Sequence, residues 1–194
     1  MTFKPFWLAA LLVMTTLPAT AQTTAAPTAL PPVHTIATLD VSRYMGTWYE
    51  IAKFPNRFQM QCVANTRAQY LAQSNGTVQV LNSCLTAEGR TIDALGLAKQ
   101  VGHVTSPKLQ VRFAPAWLSW LPLVWGDYWV IDLDADYQLV AVSDATREYL
   151  WVLSRTPQVD AKAYGALMER LKAQHFEVHK LEPTPQRSIE RVSR

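Results

Sequence analysis

The side chains able to do acid–base, nucleophilic or metal chemistry are sparse in this 194-residue chain, and their spacing does not assemble them. The four histidines, His34, His103, His175 and His179, form no pattern with carboxylates or cysteines that suits a tetrahedral metal site, and they read as surface or packing residues. No Ser/His/Asp set, glycine-rich phosphate loop or metal-ligand spacing appears. No catalytic residue, metal or cofactor is expected. Glu50 shares the parity of Trp48 in an alternating stretch, so it is expected to point inward, where it must be paired or protonated. It reads as a group that binds something polar or hydrogen-bonds within the core. The two cysteines, Cys62 and Cys84, suit a disulfide in an exported chain, with a pair of buried free thiols as the alternative. The net charge of +3 falls by one when a leader containing Lys4 is removed, and lysine and arginine are spread along the chain. That is too weak a positive field for a nucleic-acid partner.

What must position these residues is a series of short alternating segments. They read as strands over 47–54, 62–71, 77–85, 91–101, 108–113, 127–133, 137–143 and 149–155, punctuated by Pro55-Asn56, Ser74-Asn75-Gly76, Ser106-Pro107, Asp134-Ala135-Asp136 and Thr156-Pro157. A helix capped by Asp160 is expected to about Gln174, with Ala163, Tyr164, Leu167, Met168 and Leu171 on one face. A last short strand is expected over 176–180. Setting Cys62 opposite Cys84 pairs Ala64 with Asn82, Thr66 with Val80, Ala68 with Val78 and Tyr70 with Gly76, all on one face.

The ends look different from this body. Residues 1–21 carry Lys4, an apolar run from Phe6 to Met14 and a small-residue site at Ala19-Thr20-Ala21, the pattern of a removed secretory signal. Residues 22–39 read as a linker and 182–194 as a flexible basic tail, leaving 40–181 as one domain. No cysteine precedes Cys62, so no lipid-modified cysteine is expected after the leader.

Gly46-Thr47-Trp48-Tyr49-Glu50-Ile51 resembles the first signature of the lipocalins, and its continuation to Phe54 is similar to the bacterial outer-membrane (Blc-type) branch. Asp134-Ala135-Asp136-Tyr137 resembles the second signature, with Asp136 and Tyr137 in the matching positions, and Arg155 resembles the arginine of the third. The resemblance implies an all-β fold: an eight-stranded up-and-down antiparallel barrel with one C-terminal helix and a final short strand. It brings Gly46, Trp48, Asp136, Tyr137 and Arg155 together at the closed end, with Arg155 across the Trp48 indole.

Alternation then gives an interior of Ala64, Thr66, Ala68, Tyr70, Val78, Val80, Asn82, Ala94, Gly96, Ala98, Leu109, Val111 and Phe113, apolar with few polar groups. The loop over 114–125 holds Trp117, Trp120 and Trp125 and is expected at the open end as a membrane contact, a lid or a homodimer interface. The resemblance implies a carrier of a fatty acid or lysophospholipid serving membrane maintenance; the leader implies a periplasmic location, and the tryptophan loop offers peripheral contact to the outer membrane. The alternatives are an enzyme on the same barrel, of isomerase or de-epoxidase type, and a protein-interaction module using the tryptophan loop.

Overall fold

The computed structural model describes residues 30–187, so the expected leader lies outside the described residues. The alternating segments form eight antiparallel strands: β1 Gly46–Lys53, β2 Cys62–Ala72, β3 Val78–Thr86, β4 Thr91–Gln100, β5 Lys108–Arg112, β6 Gly126–Leu133, β7 Leu139–Ser143 and β8 Leu150–Ser154. Each pairs with its neighbour in sequence, and β1 pairs with both β2 and β8, which closes the sheet into a barrel. A four-residue helix, α1 Val41–Tyr44, precedes β1, and the sequence reading does not include it. The Asp40 carboxylate caps it by accepting from Ser42 N at 2.9 Å and Arg43 N at 3.3 Å.

Helix α2, Ala161–Ala173, packs on the outside, its first turn capped by the Asp160 carboxylate accepting from Ala163 N at 2.9 Å. Leu167 and Leu171 are fully buried, in one cluster with Ala52, Ile131, Leu139, Ala141 and Val152. Burying each leucine stabilises this seat by about 1.5 to 3 kcal/mol. Register irregularities in β1 between Glu50 and Ala52, and in β6 between Val130 and Asp132, let one strand serve two cores. Before the irregularity Trp48, Glu50 and Val130 lie on the barrel's inner side; after it Ala52 joins the helix-side cluster, as does Ile131.

The β2–β3 register differs from the expected one. Ala68 faces Asn82 and Tyr70 faces Val80, four residues further along β3 than pairing of the cysteines would give. The shift is even, so the inward parity of the even-numbered residues is kept. Half of it is present where Cys62 faces Thr86, and two irregularities add one residue each, between Cys62 and Ala64 and between Ala64 and Arg67, where Asn65 adopts φ 54°. Cys62 faces Thr86, and Cys84 lies opposite Ile92 of β4, yet the cysteine Cα atoms are 5.6 Å apart and a disulfide joins them.

Both ends of the domain are tied down further than expected. Within the supposed linker, Val33 and Leu39 are buried, and Ile36 N and Leu39 N donate to Val130 O at 3.1 Å and Thr105 O at 2.8 Å. The strand expected over 176–180 is instead a buried Phe176 followed by a 3-10 turn, Val178–Lys180. The final strand is β9, Glu182–Pro183, paired with Ala52 and Lys53 of β1. Beyond it, Thr184 N donates to Ile51 O at 2.9 Å, and Asn65 N donates to Pro185 O at 2.8 Å. The first part of the supposed tail therefore bridges β1 and β2 past the point where their own pairing, Gly46–Tyr70 to Tyr49–Arg67, ends.

Candidate functional site

One end of the barrel is sealed. Trp48 has no exposed surface, and its indole N–H donates to Tyr44 O at 2.8 Å. The Arg155 guanidinium carbon lies 4.0 Å from the Trp48 ring centroid. Its nitrogens donate to the carbonyls of Tyr137 at 3.2 Å, Thr47 at 3.0 Å and Arg43 at 2.7 Å. Gly46 belongs to this plug for a steric reason: its φ is +94°, and a Cβ there would stand 3.3 Å from Arg155 Nη1. Tyr137 also takes part, its ring 3.9 Å from the Arg43 guanidinium carbon and its hydroxyl accepting from Asp40 N at 3.1 Å. Asp136 is exposed, and the carboxylate that organises its turn is Asp134, which accepts from Gln138 N at 2.7 Å and Leu139 N at 2.5 Å.

Above the plug the inward residues change from closely packed to open. Ala68, Tyr70, Val78, Val80, Ala98 and Leu109 are buried in one cluster with Trp48, Val130, Val140, Val142 and Leu153. Further along the same faces Asn82, Gly96 and Val111 are half-buried, while Ala94 is exposed and Phe113 is 44% exposed. Ala94 pairs with Asn82, Gly96 with Val80 and Ala98 with Val111, so these positions share the inward face. A Cβ on Gly96 would lie 2.7 Å from Phe113 Cε1, which places the Phe113 ring over that glycine. Inward residues that remain open to solvent describe a cup with a packed floor.

Two polar groupings interrupt this apolar surface. Tyr44, Tyr70 and Tyr128 converge: Tyr128 Oη is 2.8 Å from Tyr44 Oη and 3.0 Å from Tyr70 Oη. Burial pushes the Tyr70 phenol up to about 12 and raises the other two well above the usual tyrosine value, so all three stay neutral. The second grouping surrounds Glu50. Its carboxylate accepts from Thr184 Oγ1 and from Gln59 Nε2, both at 2.6 Å, and Gln59 Oε1 accepts in turn from Trp151 Nε1 at 2.9 Å. Burial holds the Glu50 carboxyl above its usual range, opposed by these hydrogen bonds and by the charge of Lys53. Thr66 is buried beside the Asn65 irregularity, and its carbonyl shares the Gln186 amide with that of Glu50, at 2.9 and 2.8 Å.

The tryptophan loop divides. Trp125 folds back on the outer wall, with Lys99 Nζ 4.2 Å and the Arg112 guanidinium carbon 5.3 Å from its ring centroid, and its N–H donates to Ser119 O at 2.8 Å. Trp117 and Trp120 are about three-quarters exposed, at 74% and 75%, and Leu123 more so. In the loop between β1 and β2, which shares this end of the barrel, Phe58 and Met60 are exposed too.

Sequence reasoning placed Glu50 and Tyr70 inward but missed their partners. Tyr44 comes from a helix too short for periodicity to reveal, and Thr184 and Gln186 from a proline-broken stretch with no pattern of its own. Tyr128 was within reach, because it shares parity with Val130 in β6. Among the described residues no group of three or more His, Cys, Asp and Glu side chains could hold a metal ion.

A lipocalin-like domain model matches residues 39–186. Temperature-induced lipocalin-1 of Arabidopsis thaliana is 40% identical over 149 residues, covering 76% of this chain and 80% of that protein. Outer membrane lipoprotein Blc of Citrobacter freundii is 32% identical over 177 residues, covering 87% of this chain and 96% of that one. The solved structure of insecticyanin from the tobacco hornworm Manduca sexta shares the fold with a TM-score of 0.65 at 18% identity, covering 84% of this chain and 89% of its own. With the closed barrel, its tryptophan plug and the helix on its flank, these matches establish that the chain belongs to the lipocalin-like family.

Proposed function

We propose that this protein is an exported carrier of a single-chain lipid, a fatty acid or lysophospholipid, serving the upkeep of the bacterial outer membrane. Lipocalins bind small hydrophobic ligands, and the observation that carries the reading here is the cup: inward-facing Ala94 and Phe113 stay open to solvent above a packed, tryptophan-sealed floor. An acyl chain fits such a surface because its binding removes apolar area from water at about 25 cal/mol per Å² without asking for hydrogen bonds. The leader-like 1–21 and the similarity to an outer membrane lipoprotein support an envelope location. Trp117, Trp120 and Leu123 project from the loop that follows β5, and tryptophan favours the bilayer interface, so this loop is the membrane contact through which ligand passes.

The test is paired. Titration of residues 22–194 with hexadecanoic acid and with lysophosphatidylcholine, followed by tryptophan emission, is expected to saturate near one ligand per chain. Flotation with vesicles of phosphatidylethanolamine and phosphatidylglycerol is expected to carry the protein upward, and the double substitution Trp117→Ser with Trp120→Ser to abolish flotation while leaving the titration unchanged. Failure to saturate removes the carrier reading; flotation unaffected by the substitutions removes the membrane role of the loop.

A further inference from the structure

The three phenols at the cup floor have more hydrogen-bonding capacity than they use among themselves. Tyr44 and Tyr70 both meet Tyr128, so three O–H protons serve two contacts. Among the described residues the third proton has no acceptor, and the hydroxyl oxygens keep lone pairs in reserve. The rings pack on one another. Tyr44 stacks on Tyr70 with centroids 5.7 Å apart and planes 13° apart, and Tyr70 meets Tyr128 edge to face at 6.2 Å. Tyr128 is the member that faces upward: it pairs with inward Leu109 on β5 and is half-buried, whereas Tyr44 and Tyr70 are buried beneath.

We propose that the Tyr44, Tyr70 and Tyr128 hydroxyls form a subsite at the floor of the cup for an uncharged hydrogen-bond acceptor, a ketone, ester or hydroxyl oxygen carried on the inner part of the ligand. This rests on the carrier reading and specifies the ligand's far end. The acceptor is uncharged because burial, which raises all three phenols, disfavours a negative charge at this floor. Arg155, whose charge reaches Tyr44 and Tyr70, already gives its nitrogens to three main-chain carbonyls and its face to Trp48, and Glu50 acts on Tyr70 in the opposite sense. A buried neutral donor with no acceptor is costly, and a ligand oxygen that takes the spare proton removes that cost. Plain acyl chains therefore fit the cup, and chains or ring systems with an oxygen at the inner end fit it better.

The test compares hexadecanoic acid with 15-oxohexadecanoic acid, which share a carboxylate for the mouth and differ at the inner end, by tryptophan-emission titration of wild type, Tyr128→Phe and Tyr70→Phe. Expected is a loss of about fivefold or more in affinity for the oxo acid in Tyr128→Phe, with hexadecanoic acid changed less than twofold. Equal losses for both acids, or none for either, would overturn the subsite. The infrared carbonyl stretch of 15-oxohexadecanoic acid labelled with ¹³C at the ketone and bound to wild type needs no variant to fold. A shift to lower frequency relative to the same ketone in hexane is expected, and an unshifted band overturns the proposal. If wild type binds neither acid, the carrier reading fails as well; if it binds hexadecanoic acid but the ketone-specific loss and band shift are absent, only the subsite is lost.

Discussion

Arg155 and Trp48 form one unit: the guanidinium carbon sits 4.0 Å from the indole centroid while its nitrogens hold the carbonyls of Tyr137, Thr47 and Arg43. Those carbonyls belong to the β6–β7 turn, to β1 and to α1, so a single side chain ties together the elements that close the barrel.

Replacing that side chain should loosen the plug. Arg155→Met loses a cation–π contact worth about 0.5 to 2 kcal/mol and leaves three carbonyls short of a donor. A destabilisation of about 2 to 3 kcal/mol is expected from the urea midpoint, with Arg155→Lys recovering less than half because an ammonium cannot reach all three oxygens. A change under 0.5 kcal/mol in Arg155→Met would show that the plug does not depend on it.

Gly96 sets the width of the cup. A Cβ there would stand 2.7 Å from Phe113 Cε1 and 2.9 Å from Arg112 O, and the carbonyl cannot move without disturbing β5. Gly96→Val is expected to displace the Phe113 ring and weaken hexadecanoic acid binding at least tenfold, while far-ultraviolet circular dichroism still reports a barrel. Unchanged affinity in a folded variant would mean that ligand does not pass this level.

The C-terminal segment acts as a strap. Gln186 Nε2 donates to both Glu50 O and Thr66 O, and Arg187 N donates to Asn65 Oδ1 at 2.7 Å. Gln186→Ala is expected to cost about 1 to 2 kcal/mol and to speed amide hydrogen exchange at Asn65. Exchange as slow as in wild type would show that the strap adds nothing to the β1–β2 seam.

Glu50 should make stability depend on pH in a definite direction. Its carboxyl is held above the usual 4.5 by burial, so in the window above 4.5 the folded chain keeps a proton that the unfolded chain releases. Stability from this group is full below 4.5 and is lost as pH rises through the raised value. Glu50→Gln, which keeps the shape, is expected to flatten that part of a stability-versus-pH curve measured in urea. A curve of wild-type slope would assign the dependence to other groups.

Much of the barrel is written in local pattern. Period-two alternation in segments such as Lys108–Arg112, and turn chemistry at Asn75-Gly76, suffice to place strands, because each depends only on neighbours in sequence. Register does not, because Cys62 faces Thr86 instead of Cys84 and two irregularities, one at the left-handed Asn65, each add a residue between β2 and β3. Pro183 and Pro185 made the tail look unstructured, yet Pro185 needs only its carbonyl to accept from Asn65 N, a role that appears once β1 and β2 have separated. The tyrosine cluster was half legible: Tyr70 was read inward from parity, while Tyr44 reaches it from a short helix before the barrel. The segment over 114–125 was read as one apolar loop, but cations from β4 and β5 draw Trp125 away from Trp117 and Trp120.

The carrier account is tested most directly by what the protein holds when it is made. Residues 22–194, exported to a bacterial periplasm and purified without detergent, would be weighed by native mass spectrometry, extracted with organic solvent and their lipid identified. The account predicts one fatty acid or lysophospholipid per chain, displaced by added hexadecanoic acid. A protein that emerges empty and takes up none of the single-chain lipids added afterwards would contradict it.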